Sequence, residues 1–251
     1  MSGPSDAPAR RTGRSAWLLA MFAALLSVAF VGFLALGVWQ VQRMAWKRDL
    51  IARVDARVHA APVPMPVRAR WSDVSDASDG YRHVTVGGRF MPGMESRTQA
   101  VTELGAGFWS LVPLRTDAGD YVLINRGFVR PDDRSAPPQG RVVVTGLLRI
   151  SEPGGGFLRR NDPAQQRWYS RDVEAIARSH GLPADRVAPF FIDADREAST
   201  PLWPRGGLTV VKFRDSHLSY ALTWFGMALL ALVGGALLFA SERRLRHHRR
   251  R

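Results

Sequence analysis

Trp17-Leu18-Leu19-Ala20-Met21-Phe22-Ala23-Ala24-Leu25-Leu26-Ser27-Val28-Ala29-Phe30-Val31-Gly32-Phe33-Leu34-Ala35-Leu36 contains no charged residue. It lies inside a longer uncharged block, Ser15 to Gln42. A helix needs roughly 20 apolar residues to cross the hydrocarbon core of a bilayer. A second block, Ser216 to Ser241, also lacks Asp, Glu, Lys and Arg. Its core is Trp224-Phe225-Gly226-Met227-Ala228-Leu229-Leu230-Ala231-Leu232-Val233. Both blocks read as transmembrane helices, and that reading decides the architecture. A cleaved signal peptide has a shorter apolar region and a small-residue cleavage site. The first block is too long for that and ends in Trp39-Gln40, so it reads as an uncleaved anchor. Core helices of a soluble protein are seldom apolar on every face.

Working outward, the flanks set orientation. Arg10, Arg11 and Arg14 precede the first span against a single acid, Asp6. Arg243, Arg244, Arg246, Arg249, Arg250 and Arg251 follow the second against Glu242. Short basic tails stay in the cytoplasm. The expected order is a cytoplasmic tail at 1–14, a span at 15–42, an exported domain at 43–215, a span at 216–241, and a basic cytoplasmic tail at 242–251. The formal net charge is +13, which on totals alone suggests nucleic acid as a partner. More than half of that excess belongs to the two tails, so it reads as a topology signal, and no nucleic-acid partner is expected. The tail at 246–251 is expected to lie against anionic membrane lipids.

The exported part is 43–215. Trp46, Leu50, Val54 and Val58 recur every four residues, so 43–61 reads as a helix that continues the first span. It should stop at Pro62-Val63-Pro64-Met65-Pro66. Residues 67–80 read as a polar linker. Strands are expected at 81–86, 108–114, 121–125, 141–150, 190–192 and 208–211, with a hairpin turn at Asp117-Ala118-Gly119-Asp120. Ser170 or Asp172 can cap a helix through Val173, Ile176 and Ala177, closed by Gly181. The fold class is therefore a membrane protein of α+β type. Two transmembrane helices flank a mainly antiparallel β-sheet or partial barrel with one or two helices.

Catalytic signatures are absent. There is no G-x-S-x-G, H-E-x-x-H or P-loop. The chain has no cysteine, which removes thiolate nucleophiles and iron–sulfur clusters. Gly105-Ala106-Gly107 reads as a turn. Asp132-Asp133, Glu95 and Glu103 read as solvated loop carboxylates. An enzyme is not expected. The membrane edge is more informative. His217, Tyr220 or Ala221, and Trp224 share one helical face at the head of the second span. The bland reading is an aromatic belt with a polar start. An ionisable residue at a span is nevertheless a functional candidate. The matching end of the first span offers Trp39, Arg43, Trp46 and Lys47, and Lys212 and Arg214 precede His217. One imidazole among cations suits a haem, with an axial histidine on the iron and arginines on the propionates.

At these residues the chain resembles the surfeit-locus family of cytochrome c oxidase assembly factors. The resemblance rests on Gly37-Val38-Trp39-Gln40 with Arg43 and Trp46-Lys47, and on Tyr81 through Phe90. Further pieces are Asn125-Arg126-Gly127-Phe128-Val129, Val144-Thr145-Gly146, Trp168-Tyr169, and His217 through Phe225. Phe128 stands where the family usually has Trp, and Asp215-Ser216 where it often has Asn. The resemblance implies an accessory protein that assists haem a insertion into, or stabilisation of, subunit I of a haem–copper oxidase. Partners would be that subunit, other assembly factors and membrane lipids. His217 is the residue to which contact with the haem iron carries over. Trp39, Tyr220 and Trp224 as pocket walls, and Arg43 and Arg214 as propionate partners, follow from spacing alone. Two other readings stand beside it: a cofactor-free scaffold holding an oxidase intermediate, and an unrelated membrane-anchored sensor. The expected location is the bacterial inner membrane. The mitochondrial inner membrane is the alternative, for which the fourteen residues before the first span leave no room for a presequence.

Overall fold

The computed structural model describes residues 16–156, 158–196, 203–208 and 216–249. The chain divides into two compact units, Met1–Leu50 with Phe213–Arg251, and Ile51–Lys212.

The first unit holds two helices long and apolar enough to cross a membrane. Helix α1 runs Ala16–Val58 and helix α4, the last element, His217–Arg249. Both expected spans are therefore helical, and the expected continuation of the first through residue 58 is present. The more buried positions of α1 include Leu26, Phe30, Phe33, Gly37, Gln40 and Met44; those of α4 include His217, Ala221, Trp224, Ala228, Ala231 and Gly235. Alternating steps of three and four are the seam of two helices packed side by side. The pair is antiparallel: Gln40 meets His217, while Leu19 and Glu242 line one cavity at the other end.

The second unit is built on a closed barrel. After the last turn of α1 come a short strand β1 (Val63–Pro64) and a 3-10 helix, Arg68–Asp73. A short helix α2 (Asp76–Asp79) follows. The strands are β2 (His83–Phe90), β3 (Ser96–Thr102), β4 (Gly105–Thr116), β5 (Tyr121–Val129), β6 (Val142–Ile150) and β7 (Val187–Ala194), with helix α3 (Val173–Ser179) before β7. The sheet order is β1-β2-β6-β7-β5-β4-β3, and β2 also pairs with β4. That pairing, Gly88–Phe90 against Leu114–Thr116, closes five strands into a barrel. Strand β4 is long enough to serve two neighbours: its first half pairs with β3 and its last residues with β2. Among the barrel pairs only β5–β7 is parallel.

Alternation divides the strands between two cores. Val84, Leu114, Val122, Ile124, Leu148, Phe190 and Ile192 point inward. Leu111, Leu123 and Phe191 point outward and are covered by Trp168, Val173 and Ile176. Asp172 caps α3 by accepting from the Ala175 amide at 3.1 Å. Gly181 follows it with φ 68°.

Several expectations need correction. Residues 67–80 are not a linker. Trp71 is buried and meets Phe190 edge to face at 6.4 Å, while its Nε1 donates to the Pro66 carbonyl. One tryptophan carries an otherwise polar segment onto the end of the barrel. Strand β2 begins at His83, because Tyr81 adopts φ 61°. The turn before β4 lies at Glu103-Leu104, and Gly105-Ala106-Gly107 is strand. A Cβ on Gly107 would meet the Phe128 ring and the Val129 carbonyl at 2.5 Å. Strand β3 has no counterpart in the expectations. Glu95 and Asp133 are half-buried rather than solvated, and Glu95 accepts from Ser110 Oγ at 2.6 Å. Of the expected strand 208–211, Leu208 is irregular and the remainder lies outside the described residues.

Candidate functional site

The site builds up from the end of the helix pair where α4 begins. Gly37 lets the two helices close: a Cβ there would fall 2.5 Å from the Phe225 ring. One turn earlier on α1, Phe33 stacks on Trp224 with ring centroids 5.7 Å apart and planes at 25°. Ala221 sits buried between these contacts. One turn later on α1, the Gln40 side chain is buried on the same face. His217, first residue of α4, points at it, and His217 Nδ1 lies 2.8 Å from Gln40 Oε1.

The chemistry of that contact is directional. An amide oxygen only accepts, so Nδ1–H of His217 donates to it. The two nitrogens of an imidazole are distinct, and the partner of one sets the role of the other. Gln40 also fixes the ring plane, because the amide is held in the tight part of the helix pair. Farther along, the helices part around an apolar cavity of about 720 Å³ lined by residues such as Ala23, Phe30, Ala231 and Leu238.

The other residues expected at this edge are placed as follows. Trp224 is in the helix contact, engaged by Phe33. Trp39 and Tyr220 are 54% and 56% exposed, so neither ring is consumed by packing. The Arg43 guanidinium lies over the Trp46 ring, 4.0 Å from its centroid. Lys212 and Arg214 lie outside the described residues. The structure thus brings His217 together with Gln40, sets Trp224 two turns farther along α4 against Phe33, and leaves Trp39, Tyr220 and Arg43 exposed. Sequence reasoning missed Gln40. A signal was present: Gly37 and Gln40 are three apart, the spacing of one helical face, inside an otherwise apolar span.

Two further histidines, His83 and His180, serve the barrel. His83 bridges the Ala60 carbonyl at 2.9 Å and Asp195 Oδ2 at 2.7 Å. Burial opposes its charge, but the Asp195 carboxylate and the Ala60 carbonyl outweigh it, and its pKa is raised. His180 Nε2 meets the buried Ser96 hydroxyl at 2.9 Å. Burial lowers its pKa. Ser96 is fully buried, so this serine–histidine pair is packing and offers no exposed nucleophile.

Comparison with known proteins covers most of the chain. The family model described as the SURF1 family matches residues 27–229. Surfeit locus protein 1 of Homo sapiens is 34% identical over 223 residues, which is 81% of this chain and 72% of that protein. Surfeit locus protein 1 of Mus musculus is 36% identical over 215 residues, 76% of this chain and 67% of that protein. The SURF1-like protein of Monosiga brevicollis is 32% identical over 234 residues, 85% of each chain. The matched range begins within α1 and ends within α4, so it takes in both residues of the Gln40–His217 contact and the whole barrel.

Proposed function

The chain belongs to the SURF1 family, and on that premise we propose that it is a membrane-anchored assembly factor for a haem–copper oxidase, one that holds haem a for subunit I. The observation that carries this reading is the 2.8 Å contact between His217 and Gln40. An axial imidazole binds iron through one nitrogen while an acceptor orients the N–H of the other. His217, with Nδ1 directed at Gln40 Oε1, would be the residue that holds the iron.

The surrounding residues suit the same cargo. Trp39 and Tyr220 keep flat faces exposed at the depth of His217 on their own helices. Trp224, already stacked on Phe33, fixes the helix pair and so the imidazole. Arg43 would pair with a propionate, and Arg214 would be the second cation. Haem a supplies the oxidase's redox chemistry after transfer. The work of this chain is binding and orientation, and the reading requires no catalytic group. In this reading the protein sits in a bacterial inner membrane with both termini cytoplasmic and 43–215 in the periplasm. Its partners are subunit I, other assembly factors and membrane lipid.

The test is a redox absorbance spectrum of the detergent-purified protein from cells that make haem a. Haem bands are expected from the wild type and their loss from His217→Ala. Gln40→Leu should keep the helix pair and weaken haem affinity roughly 10–100-fold, the usual effect of removing a ligand-orienting partner. A wild-type spectrum without haem bands would overturn the haem reading in favour of a cofactor-free scaffold.

A further inference from the structure

We propose that the barrel unit carries a ligand site of its own, for a small organic carboxylate with an apolar body, in the cavity where Arg149, Arg171 and Arg205 converge. This proposal is independent of the haem reading, since all of its residues belong to the second unit.

The cavity has a volume of about 380 Å³, within the range of small-molecule pockets. Its floor is a buried charge network. Asp193 is 4% exposed. It accepts from Asn125 Nδ2 at 2.7 Å, from Arg149 Nη1 at 3.0 Å and from Arg171 Nη1 at 3.4 Å. Arg171 also forks onto Glu152 at 3.0 and 2.5 Å. Burial opposes the charge of Arg171, yet the Glu152 and Asp193 carboxylates overcome it and raise its pKa. Two arginines are therefore matched by two carboxylates.

Arg205 is different. It lines the cavity, and its Nε is buried with no hydrogen-bond partner among the described residues. No carboxylate among the described residues forms an ion pair with it. A buried guanidinium donor without an acceptor is costly, and a planar carboxylate matches its fork. Its backbone is held in advance. Arg205 and Phe128 exchange backbone hydrogen bonds at 2.9 and 3.0 Å. Gly127 makes the approach possible, because a Cβ there would lie 2.3 Å from the Arg205 carbonyl.

The remaining wall selects the ligand's body. Tyr81, Val101, Leu104, Trp109 and Leu208 line it, and Val101 is 86% exposed at the rim. Tyr81 is held in left-handed backbone, φ 61°, with Arg149 4.6 Å from its ring centroid. Strained non-glycine residues concentrate at ligand sites. Glu103, also on the rim, disfavours multiply charged anions. One unmatched cation, an apolar wall and an acidic rim fit a monocarboxylate better than a phosphate.

The test is calorimetric titration of the detergent-purified full chain with naphthalene-2-carboxylate. Its neutral carboxamide, in the same micelles, and inorganic phosphate alone are the comparisons. Saturable binding of the carboxylate is expected, with the carboxamide and the Arg205→Gln variant each weaker by roughly tenfold or more, the effect of losing one charge-assisted pair. Phosphate alone should give no binding. Should Arg205→Gln fail to fold, Val101→Glu adds a negative charge at the exposed rim. It should weaken the carboxylate several-fold and leave the carboxamide unchanged. Equal binding of acid and amide, or indifference of the acid to both substitutions, would overturn the proposal.

Discussion

Gly127 shows how much one missing side chain decides. Its φ is 125°, a backbone region open essentially to glycine alone. Its Cα hydrogen faces the Arg205 carbonyl where a Cβ would sit at 2.3 Å. Gly127→Ala would combine that backbone strain with loss of the Phe128–Arg205 hydrogen bonds. We expect a loss of about 2–4 kcal/mol, read as a lower thermal midpoint. Asp193 is the polar counterpart. It is 4% exposed and holds Arg149 and Arg171. Asp193→Asn keeps the shape and removes the charge, which leaves two guanidinia facing one remaining carboxylate, Glu152. Breaking such a buried network by removing one partner costs about 3–5 kcal/mol. Asp193→Asn is therefore expected to lower the midpoint at least as far as Gly127→Ala. A midpoint indistinguishable from wild type would contradict the burial argument.

At the scale of elements, what could be foreseen follows from periodicity, and what could not follows from small polar residues. Strand β7 announces itself in Phe190-Phe191-Ile192, and β5 in Tyr121-Val122-Leu123-Ile124. Strand β3 does not, because its buried positions are Ser96, Thr98 and Ala100, which alternate with their neighbours in burial but not in hydropathy. The same limit hid Gln40: a polar residue in a span stands out only once its partner, His217, is known to face it. The family motifs were visible as strings, yet their reason is packing. Gly146 in Val144-Thr145-Gly146 lies against the Asp193 carbonyl, where a Cβ would be 2.1 Å away. The approach is between the paired strands β6 and β7, and the pattern of neither strand alone encodes it. The end of β2 carries a pH-dependent tie. The His83 pKa is raised in the fold from an unfolded value near 6.5. Its contribution to stability is therefore fully present below about pH 6.5 and is lost as pH rises through the raised value. The His180 pKa is lowered, so its contribution runs the other way and fades as pH falls. His83→Gln is expected to lower the thermal midpoint more at pH 5.5 than at pH 8.5. His180→Gln should show the reverse order.

For the whole molecule, the +13 net charge acquires meaning only when it is divided. Nine arginines lie in the two short tails, and the barrel unit sets its own arginines against carboxylates such as Glu152, Asp117 and Asp193. If the tails set orientation, both ends of the chain share one side of the membrane and the turn at Asp117-Ala118-Gly119-Asp120 lies on the other. The absence of cysteine makes this directly measurable, since any introduced thiol is unique. Ser5→Cys, Ala118→Cys and Ser241→Cys place one label site in each region. Ala118 and Ser241 are exposed in the fold, so accessibility there reports the membrane and not packing. A membrane-impermeant maleimide applied to intact spheroplasts is expected to label Ala118→Cys only. The other two should react after permeabilisation. Labelling of Ser5→Cys from outside, with Ser241→Cys still protected, would mean that α1 does not cross. The pairing of Gln40 with His217 would then have to form without a shared bilayer to align the two helices, and the haem reading would lose its setting.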